Sequence, residues 1–107
     1  MNRNLEEQMR RQAERARYIS SLSGGPEKWI GQVVKKGFTQ ASDETLDREW
    51  MWVQVTGTEG SRLVGRLLNH PMYASYLKWG DLVTFTEDEI YSADPDAEPF
   101  ASNPEQN

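Results

Sequence analysis

The sequence predicts an α+β fold: an N-terminal helix packed on a four- or five-stranded antiparallel meander that can curl toward a half-open barrel. Apolar residues recur every three or four positions over residues 4–22, the period of an amphipathic helix. Apolar and polar residues alternate over residues 50–56, the period of a half-buried strand. Corners that contain glycine or proline separate the predicted segments.

The helix is expected from residue 4 to about residue 22. Asn4 can cap its first turn, and the sequence Ser-Gly-Gly-Pro at residues 23–26 ends it, since glycine supplies a left-handed cap and proline cannot continue the helix. Its apolar stripe consists of Leu5, Met9, Ala13 (or Gln12), Ala16, Ile19 and Leu22. Arginines and glutamates alternate elsewhere on the helix, which indicates a solvated face that can also attract the acidic end of the chain.

Strands are expected at residues 29–35, 50–56, 62–68 and 82–86, and Ile90 with Tyr91 can add a last short pairing. Gly65 interrupts the third strand. An interior glycine weakens a strand unless a bend or a large neighbour requires it, so we expect a tryptophan ring from the second strand to lie over it. Residues 1–92 are predicted to form a single domain. Residues 93–107 are rich in proline and acidic residues, which predicts a disordered acidic tail.

Composition narrows the classes of protein that remain. The chain has 107 residues, no cysteine and a net charge of −5, and residues 81–107 carry eight acidic side chains with no lysine or arginine. The absence of cysteine excludes a disulfide framework. No apolar run approaches the ~20 residues that span a bilayer. We therefore expect a cytoplasmic protein without membrane association, and nucleic-acid binding is not expected because only the N-terminal segment is basic.

The corners between the strands carry a family resemblance over about residues 10–92. The residues concerned are Ala16, Arg17, Glu49, Trp52, Val53, Gly65, Leu67, Asn69, Pro71, Lys78, Gly80, Asp81, Val83, Phe85 and Ile90. In this ordered set the chain resembles the YegJ-like domain-of-unknown-function family (family 2314). Trp50 stands where that family often has histidine, and Tyr91-Ser92-Ala93 replaces its usual Asp-Trp ending. The resemblance implies the α+β fold and no particular activity.

No catalytic constellation is evident. His70 is the only histidine, so a zinc site of ordinary composition is not expected. Neither a nucleophile elbow nor a glycine-rich phosphate loop is present. The run Glu87-Asp88-Glu89 lacks the central glycine of a calcium loop. We predict that the protein is not an enzyme and needs no cofactor or metal.

Aromatic residues provide the main functional hypothesis. Trp50 and Trp52 share one face of a strand, opposite Met51, Val53 and Val55, and either fill a second small core or form an exposed platform. We predict a non-enzymatic module that binds a protein partner through this face, the loop before the fourth strand, or both. The candidate partner-binding residues are Trp50, Trp52, Asn69, His70, Tyr73, Tyr76 and Trp79. Asn69 can instead serve only as a structural corner. The oligomeric state is open.

An acidic inhibitor or immunity-type protein is the alternative. Such a protein would neutralise a basic partner through the C-terminal segment, whose candidate residues are Glu87, Asp88, Glu89, Asp94, Asp96, Glu98 and Phe100. An aromatic anchor among acids can also act as a linear motif that docks into a basic, apolar groove.

Overall fold

A computed structural model describes residues 2–40 and 47–97. Helix α1 spans Asn2–Ser21, and short 3-10 helices occupy Pro26–Trp29 and Glu87–Glu89. The five strands are β1 (Val33–Thr39), β2 (Arg48–Glu59), β3 (Arg62–Leu67), β4 (Leu82–Phe85) and β5 (Ile90–Ala93). The predicted α+β architecture is confirmed.

The strands form one antiparallel sheet in the order β4-β3-β2-β1-β5. Strands β1 to β4 make a meander, and the chain then returns so that β5 pairs with the outer side of β1, which confirms the expected last pairing. Gly60 turns the chain between β2 and β3 at a φ of 64°, a conformation that glycine adopts without strain. The sheet stays open, with β4 and β5 as its edges, and does not close into a barrel.

One face of the sheet carries the core. Met51, Val53 and Val55 share one face, as predicted, and the structure buries that face in the core. The register places Val34 and Leu67 beside Val53. Trp29, Phe38, Leu63, Phe85 and Ala93 complete this apolar cluster together with residues of α1 and of the loop before β4.

Gly65 has a different neighbour from the one predicted. The register sets Gly65 opposite Val55, on the core face, and a Cβ at Gly65 would collide with Val53 Cγ1 and come within 2.8 Å of the Gln54 carbonyl oxygen. The tryptophans of β2 point to the opposite side, so the predicted ring over Gly65 is wrong. An aliphatic side chain and the backbone of β2 require glycine there.

Only the second half of α1 packs on the sheet. Ala16 and Ile19 are buried, whereas Leu5 and Met9 are 57% and 52% exposed. The predicted apolar stripe therefore continues beyond the packed half of the helix, and its first turns are mostly exposed. The helix begins at Asn2, so the cap predicted at Asn4 is wrong.

Trp29 belongs to the 3-10 helix that starts at Pro26 and not to the first strand, which begins four residues later than predicted. Proline favours the first position of a helix because its fixed φ suits the turn and its missing N–H needs no partner there. The turn buries Trp29 to 1% exposure beneath α1 and the sheet. The Trp29 ring thus packs in the core although its backbone lies outside the sheet.

The described residues continue to residue 97, past the predicted domain boundary at residue 92. Ala93 is the buried last residue of β5, and the Asp94 N–H donates to the Val33 carbonyl at 2.8 Å. Residues 98–107, which include Glu98 and Phe100, lie outside the described residues. Within the described ranges, no helix has both the length and the apolar character needed to cross a membrane.

Candidate functional site

The side of the sheet away from the core presents aromatic and basic side chains. We call it the open face. By strand register and ring contact, it includes Lys35, Gly37, Trp50, Trp52, Gln54, Arg66, Leu82 and Tyr91. Trp50, Leu82 and Tyr91 are 53%, 61% and 61% exposed, and Trp52 is half-buried. A sheet face with large exposed apolar residues is typical of an interaction site.

Trp50 and Tyr91 meet across a glycine. Gly37 of β1 pairs with Trp50 of β2, and a Cβ on Gly37 would come within 3.1 Å of the Trp50 ring. On the other side of β1, the strand register shifts at Lys35/Lys36, leaving Tyr91 of β5 unpaired. The two rings are tilted by 49° with centroids 5.2 Å apart. Gly37 therefore lets aromatic groups from β2 and β5 contact each other over the intervening strand.

Lys35 and Arg66, two charged side chains of the open face, are both basic. The Lys35 Nζ lies 5.0 Å from the centre of the Trp52 ring, a cation–π arrangement. Arg66 stands between Gln54 and Leu82 in the strand register, and its Nη1 donates to the Gly80 carbonyl at 3.0 Å. The open face thus combines aromatic rings with positive charge.

The loop that contains the other predicted residues is anchored to the core side. Its Ala74 is fully buried, and Leu77 packs against the core. Asn69 acts as a structural corner, because its Oδ1 accepts a 2.6 Å hydrogen bond from the Trp52 N–H. The Tyr76 hydroxyl donates to the Thr39 carbonyl at 2.7 Å.

His70 and Trp79 stack on each other with ring centroids 6.3 Å apart. Tyr73, Tyr76 and Trp79 are each more than half exposed. The loop is thus a second aromatic region, and its Ala74 and Leu77 pack on the core side. Among the described residues, no ring contact joins Trp50 or Trp52 to the aromatic residues of this loop.

Glu49 fixes this loop, a role that the sequence analysis did not assign. Its carboxylate accepts hydrogen bonds from the N–H groups of Met72, Tyr73 and Ala74 at 2.6, 2.9 and 2.8 Å. Desolvation alone would raise the pKa of Glu49, but these three bonds outweigh it and hold the pKa below its usual value. The signal available in the sequence was the glutamate that opens the family motif of the second strand.

A lysine lies on the core face, where the alternation of Val34, Lys36 and Phe38 could have predicted it. Lys36 is 7% exposed, its Nζ donates to the Gly37 carbonyl at 2.9 Å, and it lies 3.8 Å from the centre of the Phe38 ring. Glu89 approaches to 3.5 Å. Burial lowers the pKa of Lys36, and the nearby Glu89 carboxylate offsets this only in part.

The pKa of Glu89 is also lowered, which means that its charged form is favoured. Burial opposes this shift, and the hydrogen bond from the Thr86 N–H, together with Lys36, outweighs burial. The difference between the partners follows from exposure, since the Glu89 side chain is 42% exposed and that of Lys36 is 9% exposed. The lysine bears most of the cost of desolvation.

Most of the described acidic segment is engaged within the chain. Glu87 contacts Lys28 Nζ at 3.4 Å and accepts a hydrogen bond from the Ser20 hydroxyl at 3.2 Å. Asp88 accepts a hydrogen bond from the Thr86 hydroxyl. Asp94 accepts from the Asp96 N–H at 2.9 Å. Asp96 pairs with Arg11 of α1 at 3.0 Å, which confirms the predicted attraction between the helix and the acidic end.

No three histidine, cysteine, aspartate or glutamate side chains converge on a possible metal position within residues 2–40 and 47–97. His70 has an aromatic neighbour, Trp79, and no carboxylate or hydroxyl hydrogen-bond partner among the described residues.

Comparison with known proteins gives one match. No curated protein and no solved structure shows significant similarity to the chain. A family model described as "uncharacterized protein conserved in bacteria (DUF2314)" matches residues 26–93, from the first 3-10 helix to the end of β5, and leaves α1 outside. The matched residues make up more than half of the chain, and the resemblance inferred from the sequence is confirmed. The chain belongs to the DUF2314 family.

Proposed function

We propose that the protein is a non-enzymatic interaction module whose open face binds a protein partner. The observation that carries this proposal is the contact between the exposed rings of Trp50 and Tyr91 over Gly37. Exposed tryptophans that are held in place by neighbours are typical binding hot spots, because they bury a large area at little entropic cost.

The charge of the open face favours an acidic partner. Lys35 and Arg66 of this face are basic, while the chain as a whole carries a net charge of −5. A partner segment with carboxylates between apolar side chains would complement Lys35 and Arg66 and cover the rings of Trp50 and Trp52. The lack of cysteine favours a cytoplasmic partner.

The alternative, an acidic inhibitor, has less support. Glu87, Glu89 and Asp96 each contact a lysine or arginine of the same chain. A partner that used these carboxylates would have to replace those contacts. Partner binding by the loop before β4 also has less support, since the polar groups of Asn69 and Tyr76 form hydrogen bonds within the chain.

Affinity capture from bacterial lysate tests the proposal. The bait proteins are the wild type, Trp50→Ala, Trp52→Ala and the matched control Trp79→Ala, which removes a tryptophan of nearly equal exposure, 51% against 53% for Trp50, from the loop. We expect a specific protein to bind the wild type and the control, with affinity about tenfold or more lower for both open-face variants. Circular dichroism should show all four proteins folded.

Equal capture by all four proteins would contradict the proposal, as would loss of capture in Trp79→Ala alone. Capture of nucleic acid instead of protein would also contradict it, and would mean that the rings stack on bases. If Trp50→Ala and Trp52→Ala unfold, the rings belong to the core and the proposal fails.

A further inference from the structure

A groove of about 680 Å³ lies between the second half of α1 and the segment that precedes β5. Its buried lining residues, Ala16 and Trp29, form an apolar floor, and Ile90 extends this floor. The small side chain of Ala13 leaves the groove open along the helix. This volume falls within the range that accommodates a small ligand or a few side chains.

The rim of the groove is charged. Arg17 stands on the helix side and makes no ion pair with any other described residue. Glu87 and Asp88 stand on the opposite side, where Lys28 balances Glu87 at 3.4 Å. An occupant that carries a carboxylate beside an apolar group would therefore be attracted toward the helix side.

The last described residues bring the C-terminal segment to this helix. Asp96 pairs with Arg11 at 3.0 Å, and Arg11 lies two residues before Ala13, at the near end of the groove. A helix rises about 1.5 Å per residue. Measured along the axis of α1 from Arg11, Ala13 is therefore about 3 Å away and Arg17 about 9 Å away, and these two residues bound this part of the groove. Phe100 follows Ala97 by three residues, which allows a reach of about 10 Å.

We propose that the chain's own C-terminal segment occupies this groove, with the Phe100 ring on the Ala16–Trp29 floor and the adjacent Glu98 carboxylate facing Arg17. Phe100 is the sole aromatic residue after Tyr91, and the carboxylates around it match the basic side of the groove. The inference does not rest on the proposed function. Tyr91 lines the groove and also contacts Trp50, so a docked segment would border the open face.

Paramagnetic relaxation on the full-length chain tests the inference. The chain has no cysteine, so Ser102→Cys allows a single spin label on the C-terminal segment. We expect selective broadening of the backbone amide signals of Ala13, Arg17 and Asp88, compared with the reduced label. The same labelled chain with Phe100→Ala should lose this broadening, while its amide spectrum stays that of the folded protein.

Broadening centred on Trp50 and Trp52 would overturn the inference, because the segment would then lie over the open face. Weak broadening spread evenly over the spectrum would also overturn it. Broadening at α1 that survives Phe100→Ala would show that charge alone holds the segment, which contradicts an aromatic anchor. A second label at Glu105→Cys distinguishes local docking from general proximity, since the selective effect should be weaker there.

Discussion

The rings of Trp50 and Tyr91 lie 5.2 Å apart although their strands, β2 and β5, are separated by β1. The contact exists because Gly37 provides no side chain between them, and because the shift in strand register leaves Tyr91 unpaired. The pair belongs to the open face and contributes no side chain to the core cluster. The two rings therefore form an ordered contact at the surface and are not part of the core.

Adjacent residues of β2 should differ sharply in their contribution to stability. Met51→Ala is expected to lower the free energy of unfolding by about 2–5 kcal/mol, because it opens a cavity in the core. Trp50→Ala should cost only about 0.5–1.5 kcal/mol, the value of an aromatic pair at the surface. Chemical denaturation checks both variants. A Trp50→Ala cost as large as that of Met51→Ala would mean that Trp50 is a core residue.

Substitution by alanine should reduce stability more at Gly65 than at Gly37. Gly65→Ala places a Cβ against Val53 and the Gln54 carbonyl on the buried face, so we expect a loss of about 1–3 kcal/mol or more from overpacking. Gly37→Ala meets the Trp50 ring and the Arg48 side chain at 3.1 Å on the open face, where both can move. We expect a small loss of stability and a changed near-ultraviolet circular dichroism signal as Trp50 leaves Tyr91. The opposite order of stability would contradict the assigned faces.

Acidic pH should destabilise the attachment of the loop whose N–H groups donate hydrogen bonds to Glu49. Because the pKa of Glu49 is below its ordinary value of 4.5 in the folded protein, its stabilising effect is present above that value and is lost as the pH falls through the folded pKa. Glu49→Gln should reduce stability at neutral pH by about 1–3 kcal/mol and flatten the pH dependence below 4.5. Hydrogen exchange of the Met72, Tyr73 and Ala74 amides should accelerate.

Glu59→Gln is the control for that prediction, because Glu59 is exposed at the end of β2. If Glu59→Gln and Glu49→Gln have the same effect on amide exchange in the loop, the hydrogen bonds to Glu49 are not what holds it.

Removing Lys36 and removing Glu89 should have different effects on stability, because only the lysine of this pair is deeply buried. Glu89→Gln leaves the buried Lys36 charge without a partner and should cost about 1–3 kcal/mol, below the usual figure for a fully buried pair because Glu89 is partly exposed. Lys36→Met should be neutral or stabilising, since Phe38 and Phe85 flank the side chain. The double variant should recover the loss, as measured by thermal or chemical unfolding.

Both titrations of this pair should make stability rise with pH, but in different pH ranges. The lowered pKa of Lys36 means that the unfolded chain holds the proton longer, so stability should rise as the pH climbs through the folded pKa toward 10.5. The lowered pKa of Glu89 means that its contribution is lost as the pH falls below 4.5. A stability that declines between neutral pH and 10.5 in the wild type, but not in Lys36→Met, would contradict the burial of Lys36.

Alternation made the sheet predictable. The odd residues of β2 had to share a face, and the Asn-x-Pro and Gly-Asp corners marked the end of β3 and the start of β4. The positions of β3 and β4 and the α+β class therefore followed from the sequence, whereas β1 begins four residues later than predicted. The buried Lys36 was accessible by the same reasoning, since it stands between Val34 and Phe38. It was missed because a lysine is ordinarily assigned to a solvated face.

Features that depend on register could not be predicted. Which glycine lies beside a tryptophan depends on the pairing between strands. In the structure, Gly37 is opposite Trp50 and Gly65 is opposite Val55. The number of helical turns that pack on the sheet depends on the width of the sheet. The sequence pattern therefore assigned Leu5 and Met9 to the core, although both side chains are mostly exposed. The hydrogen bonds from the loop to Glu49 join residues more than twenty positions apart, which no local pattern indicates.

Oxidative footprinting of the complex tests the central claim most directly, because mass spectrometry resolves the four tryptophans separately. In the free protein, Trp50 and Trp79 should oxidise readily, and Trp29, at 1% exposure, should resist. With the captured partner bound, the account predicts protection of Trp50 and Trp52 and unchanged oxidation of Trp79. Protection of Trp79 while Trp50 and Trp52 still oxidise at the free rate would contradict it.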